Sequence, residues 1–206
     1  MSSSLVSTGS TQDSGGSDRM GRLEDLADLY GQHIATPWQR TVAGAQRVIM
    51  VAYDKELERV LRARKGEFET RTKASGHGWH EVDLTRAFAS WLAADDYRDA
   101  YFESPNDLQM KLNAEFPDYV ADNLRAILTR PDVTETSVVA VFGVASLFGF
   151  ARVSDVLKRV EGDVRGRLVI FFPGHFEQNN YRLLDARDGW NYMAVPISIH
   201  SAVGEA

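Results

Sequence analysis

Two continuous apolar runs, Val138-Val-Ala-Val-Phe142 and Leu168-Val-Ile-Phe-Phe172, constrain this chain more than anything else in it. Neither alternates apolar with polar residues, so neither suits a sheet with one face in water. Each reads as a strand buried on both faces. Val48-Ile-Met-Val-Ala52 is a third run of the same kind. The two later runs close in loop chemistry, Gly143-Val-Ala-Ser-Leu-Phe-Gly-Phe150 after one and Pro173-Gly-His175 after the other. Such strands, separated by helical patterns, predict a single three-layer α/β domain with a mostly parallel sheet of about five strands covered by helices on both faces. In such a sheet the loops after the strands form the crevice where ligands and partners bind.

The rest of the chain supplies the helices. Residues 1–20 are rich in Ser, Gly and Thr and predict a flexible tail, with the α/β domain over 21–200 and a short tail over 201–206. Leu23, Leu26, Leu29 and Tyr30 predict a helix over 22–34. Asp54 is placed to cap a helix running through Leu57, Val60 and Leu61 to about Thr72, and Gly76 to Gly78 end it. Trp79 to Leu84 is a shorter strand, followed by helices over 85–101 and 106–128, the latter broken or kinked at Pro117. A crossover helix over 148–160 and a final strand over 192–199 complete the pattern, with Asp188-Gly189 as a turn before that strand.

Composition excludes several classes. With 206 residues the chain can bury a full core. Its net charge of −6 and pI of about 5.4 lack the basic footprint of a general nucleic-acid binder. There is no cysteine, hence no disulfide, thiolate metal site or cysteine nucleophile. No apolar run approaches a membrane span, and Met1 to Ser10 carries neither basic nor apolar leader character, so a cytoplasmic location is expected.

The glycine loops invite catalytic readings that their spacing does not sustain. A phosphate-binding loop needs four residues between its glycines and then lysine. Here Gly143 and Gly149 enclose five, and Phe150 stands where lysine is required. Ser146, His175 and Asp54 all belong to the C-terminal edge of the sheet, yet Gly143-Val-Ala-Ser-Leu is not a nucleophile elbow. Ser146 reads as a helix cap and Gly143 as a turn residue of unusual φ. The five histidines are scattered, and no H-E-x-x-H is present. No cofactor, metal or catalytic residue is expected. Arg59, Arg62, Arg64, Lys65, Arg71 and Lys73 make a locally basic helix offset by Glu56, Glu58, Glu67 and Glu69, which reads as a solvated face before it reads as a DNA-binding accessory surface. A nucleotide- or metal-dependent enzyme or switch using the crevice is the rival reading.

Several short motifs share one order and spacing. They are Val51-Ala-Tyr53-Asp54 with Glu56 and Arg62, Val141-Phe-Gly-Val-Ala-Ser-Leu-Phe148, Phe171-Phe-Pro-Gly174, Asn180-Tyr-Arg182-Leu183 and Asn191-Tyr192. In these the chain, over roughly residues 22–197, resembles the BrxB family of the BREX bacteriophage-exclusion systems. Ala145 and Gly149 depart from it, standing where the family often has glycine and proline. The resemblance implies a non-catalytic adaptor in anti-phage defence that binds another BREX protein, above all a PglZ-type phosphatase-like subunit. The contact candidates on the crevice edge are Asp54, Arg62, Gly143, Ser146, Phe148, Phe150, Pro173, Gly174, His175, Phe176 and Arg182. Aromatic and arginine side chains are the usual interface anchors.

Overall fold

The structure is a computed structural model that describes residues 14–39, 41–184, 186 and 189–199. Asp188, His200 and both chain ends, with most of the expected tail, lie outside the described residues. Strands β1 (Val48–Tyr53), β2 (Gly78–Asp83), β3 (Ser137–Phe142), β4 (Arg167–Glu177) and β6 (Val195–Ser198) pair in parallel, in the order β2-β3-β4-β1-β6. The remaining strand, β5 (Asn180–Leu183), pairs antiparallel with the far end of β4. The α/β fold read from the apolar runs is the one observed.

The pleat divides those runs between two cores. Ile49, Val51, Val138, Ala140, Phe142, Val169 and Phe171 point to one face. Helices α1 (Ser14–Ala35), α2 (Glu58–Ala63) and α3 (Gly66–Ala74) cover it. Val48, Met50, Val139, Val141, Leu168, Ile170 and Phe172 point to the other. There α4 (Ala87–Ala93), α6 (Leu108–Leu128) and α7 (Val153–Val160) cover them. Each fully buried aliphatic or aromatic side chain contributes about 1.5–3 kcal/mol, so the sheet holds the domain together from its middle. Phe171 is the hub of the first core, with its ring 4.4 Å from Phe142 and 4.8 Å from Phe68.

The helices depart from expectation in instructive ways. α1 starts at Ser14 rather than residue 22, and it buries Leu23, Leu26, Ala27, Tyr30 and Ile34 while Leu29 faces solvent. The helix expected over 57–72 is a 3-10 turn followed by α2 and α3, with the break at Arg64 and Lys65. The one expected over 85–101 divides into α4 and α5 (Arg98–Glu103). Asp95 causes that break, since its carboxylate accepts the Tyr97 N–H at 2.8 Å and pairs with Lys111, offering the backbone a local alternative to the helix. α6 runs through Pro117 without interruption. Its buried face of Phe116, Val120, Ala121 and Leu124 outweighs one missing ladder bond. α7 begins only at Val153, so 148–152 is loop. β6 is confined to Val195–Ser198. No helix among the described residues is long and apolar enough to cross a membrane.

The largest departure is in β4. Pro173-Gly-His175 is not a loop, because β4 continues through it to Glu177 and returns as β5. The turn is two residues, Gln178 and Asn179, with φ of 49° and 63°. Positive φ at both positions gives the twist that closes a hairpin tightly. The hairpin therefore rises from a central strand at the very edge where a doubly wound sheet usually opens its crevice.

Candidate functional site

The C-terminal edge of the sheet carries a polar chain that ties three strand ends together. Tyr53, at the end of β1, donates its hydroxyl to Glu58 Oε2 at 2.5 Å. Arg62, one turn further along α2, lies 3.9 Å from Glu58, donates to Thr85 Oγ1 at 3.0 Å and pairs with Asp83 at the end of β2. Asp83 also accepts from the Thr85 N–H at 2.9 Å. Gly143, at the end of β3, has φ of 75° and leaves no room for a side chain, since a Cβ there meets Thr85 Oγ1 at 2.5 Å and Asp83 Oδ1 at 2.8 Å. The expected turn role of Gly143 is thus observed, with a close approach to β2 added to it.

The charges in this chain are settled by their neighbours. Partial burial works to raise the Asp83 carboxyl, but the bonds from Arg62 and Thr85 prevail and hold it below the usual carboxylate range. The same bond from Asp83 raises Arg62. Burial, reinforced by Glu58, pushes the Tyr53 hydroxyl well above its ordinary value. Asp83, Arg62 and Tyr53 are each held in their ordinary charge state, and the arrangement acts as a brace.

A second group surrounds the hairpin base. Asp54 accepts the Glu56 N–H at 2.9 Å, the expected cap, and lies 3.6 Å from Arg22. The backbone bond chiefly, helped by Arg22 and His175, keeps its carboxyl low. His175 is therefore near Asp54, but it is a strand residue opposite Arg182, not a loop residue. Both side chains are exposed. Pro173 and Gly174 are buried in β4. The Pro173 carbonyl accepts the Leu184 N–H at 2.9 Å, and a Cβ on Gly174 meets the Arg182 carbonyl oxygen at 2.0 Å. Ser146 makes no cap bond in the 3-10 turn Val144–Leu147, against expectation. None of the hydrogen bonds among the described residues joins it to His175 or Asp54.

The loop after β3 opens onto a groove of about 680 Å³ between that loop, α6 and the segment following β5. Phe148, 49 % exposed, stands at its wall. Phe150 forms part of the lining and stacks on Phe88 at 4.0 Å, so its role is packing. Leu183 and Trp190 line the opposite side. Asn113 and Pro117 of α6 complete the surface, and because proline has no N–H the Asn113 main-chain carbonyl lacks its helical donor there. Phe176 is outside the groove and packs on Tyr181 at 4.5 Å.

The basic stretch over 59–73 is largely neutralised. Arg62 pairs with Asp83, Arg64 with Glu67, Lys65 with Glu81, Arg71 with Asp28, and Lys73 with Glu69. Among the described residues, no group of three or more histidine or carboxylate side chains is placed to hold a metal ion. Sequence reasoning missed Asp83 and Thr85 as Arg62's partners, and Asn113, Pro117 and Trp190 as groove residues. Asp83-Leu-Thr85 at a strand end carried one usable signal, a carboxylate two residues before an N–H it could cap. Comparison of the chain with protein-family models, curated proteins and solved structures finds no significant match.

Proposed function

We propose that the protein is a non-catalytic docking subunit of a BREX-type anti-phage defence system, and that it binds the PglZ-type subunit through the edge carrying Phe148 and the β4–β5 hairpin. The observation that supports this best is Phe148. A large aromatic side chain half out in water, beside an open and mostly apolar groove, is an arrangement that buries well against a partner. Arg182 and His175, exposed on the adjacent hairpin, supply a polar rim. The family resemblance supplies the identity of the partner. The brace beneath, from Tyr53 to Thr85, holds the strand ends rigid, which lowers the ordering cost of association.

The test is purification of the tagged chain from cells expressing the whole defence operon. The expected result is a stoichiometric complex with the PglZ-type protein. The double variant F148A/R182A is expected to keep its circular dichroism spectrum and bind at least tenfold more weakly, the effect of about 1.4 kcal/mol or more at an interface anchor. Recovery of the wild type alone, or unchanged co-elution of the folded double variant, would count against the reading.

A further inference from the structure

The segment over 95–110 forms an arm that the docking reading does not use. No residue of α5 is buried, and none in the 3-10 turn Pro105–Asp107 that joins it to α6. Neither core takes a side chain from α5. Yet the arm is rich in large apolar groups. Tyr97 and Phe102 are each 70 % exposed, and Met110, in the first turn of α6, is 83 % exposed. Tyr101 stands one helical turn beyond Tyr97 on the same side, its N–H donating to the Tyr97 carbonyl at 3.2 Å, and Phe102 follows it. A helix of six residues is too short to persist in water alone, so the base of this one is pinned. Lys111 pairs with Asp95, Asp95 accepts the Tyr97 N–H at 2.8 Å, and the Arg98 guanidinium donates to the Ala93 carbonyl at 2.9 Å.

Charge selects what can cover these rings. Asp95, Asp96, Asp99, Glu103 and Asp107 fall in the arm against one base, Arg98. Lys111 answers Asp95, and Arg98 lies 3.5 Å from Asp99. Among the described residues no cation pairs with Asp96, Glu103 or Asp107. A second copy brings the same carboxylates and a net charge of −6, and nucleic acid or an anionic membrane brings phosphates, so each is repelled.

We propose that this arm binds an arginine-bearing segment of a partner protein. Arginine meets both features of the surface at once, because its guanidinium stacks on an aromatic face and grips a carboxylate through paired N–H bonds. Apolar residues beside the arginines cover Phe102 and Met110. The pinned base presents the rings in place, which lowers the ordering cost of the contact. The competing account, in which the carboxylates only keep the segment solvated, requires no partner.

Fluorescence anisotropy with the full chain decides between them, using a labelled peptide that alternates arginine with leucine, its glutamate–leucine analogue and its arginine–serine analogue. The expected result is saturable binding of the arginine–leucine peptide, no binding of the glutamate–leucine peptide, and binding at least tenfold weaker for the arginine–serine peptide. Y97A/F102A should weaken the first peptide at least tenfold, and M193A, which removes an equally exposed apolar side chain outside the arm, should leave it unchanged. D96N/E103Q/D107N should weaken it as well and flatten its salt dependence, a second route to the same answer if Y97A/F102A does not fold. Absence of saturable binding, equal binding of the arginine–serine peptide, or binding that survives in the folded variants overturns the proposal. So does a dimer in sedimentation that Y97A/F102A abolishes, which assigns the arm to a second copy.

Discussion

Replacing Gly143 with alanine separates two costs that a glycine at a strand end can hide. Gly143 and Gly149 have nearly the same backbone, with φ of 75° and 80°, so alanine carries the same left-handed strain at either, about 1–2 kcal/mol. Their surroundings differ. At Gly149 nothing lies within 4 Å of the new Cβ, whereas at Gly143 it meets Thr85 Oγ1 at 2.5 Å and the Thr85 nitrogen at 2.7 Å. Relieving that overlap moves the Thr85 backbone and breaks its bonds with Asp83 and Arg62, each about 1 kcal/mol. G149A should therefore lose about 1–2 kcal/mol and G143A roughly 3–4 kcal/mol, from the same principles. Equilibrium urea unfolding followed by far-UV circular dichroism measures both. Adding T85A to G143A should recover only part of the loss, because the backbone nitrogen remains in the way. Equal destabilisation by G143A and G149A would refute the view that the end of β3 is pressed against the end of β2.

Other outcomes are expected. The Arg62–Asp83 pair is partly exposed, so a double-mutant cycle should give a coupling of only about 0.5–1 kcal/mol, measured by the same unfolding assay. Asp54 and Asp83 have folded pKa values below their unfolded ones, so their contribution is present above about pH 4 and is lost as acidification passes through the folded values. Burial raises the Tyr30, Tyr53, Tyr181 and Tyr192 hydroxyls, with Glu58 and Glu161 reinforcing it for Tyr53 and Tyr192. Their contribution is complete below the unfolded value near 10 and is lost above it, by up to about 1.4 kcal/mol per tyrosine per pH unit. A urea midpoint unchanged between pH 9 and 11 would contradict this. P117A should stabilise α6 by about 1–2 kcal/mol, the regained helical bond outweighing the lost burial of the ring.

The layered fold was legible because both sheet faces are covered. Three uninterrupted apolar runs leave no other assignment, and the alternate residues of each run do go to opposite cores. The hairpin was not legible. Pro173-Gly174 has the composition of a stop, but Pro173 serves the ladder through its carbonyl, and Gly174 is required by the closeness of Arg182 rather than by a turn. The true turn, Gln178-Asn179, lacks the glycine that marks most tight hairpins. Of the candidate site, Asp54's cap and Gly143's conformation follow from local chemistry. The Arg62–Asp83 pair spans 21 positions and the groove joins three separate segments, so neither has a local signature.

β4 also raises a question of registration. In a half-buried sheet a strand that slips by one residue exposes its apolar set, and water penalises the error. Here a slip merely exchanges Leu168, Ile170 and Phe172 with Val169 and Phe171, and all remain in apolar surroundings. The frame is fixed instead by what is missing at the two ends. A Cβ at Gly166 falls 2.1 Å from the Ser137 carbonyl oxygen, and one at Gly174 falls 2.0 Å from that of Arg182. Any one-residue shift drives an arginine, proline or histidine side chain into one of those slots. The central strand is indexed by steric exclusion at two glycines, and hydrophobicity sets only its depth.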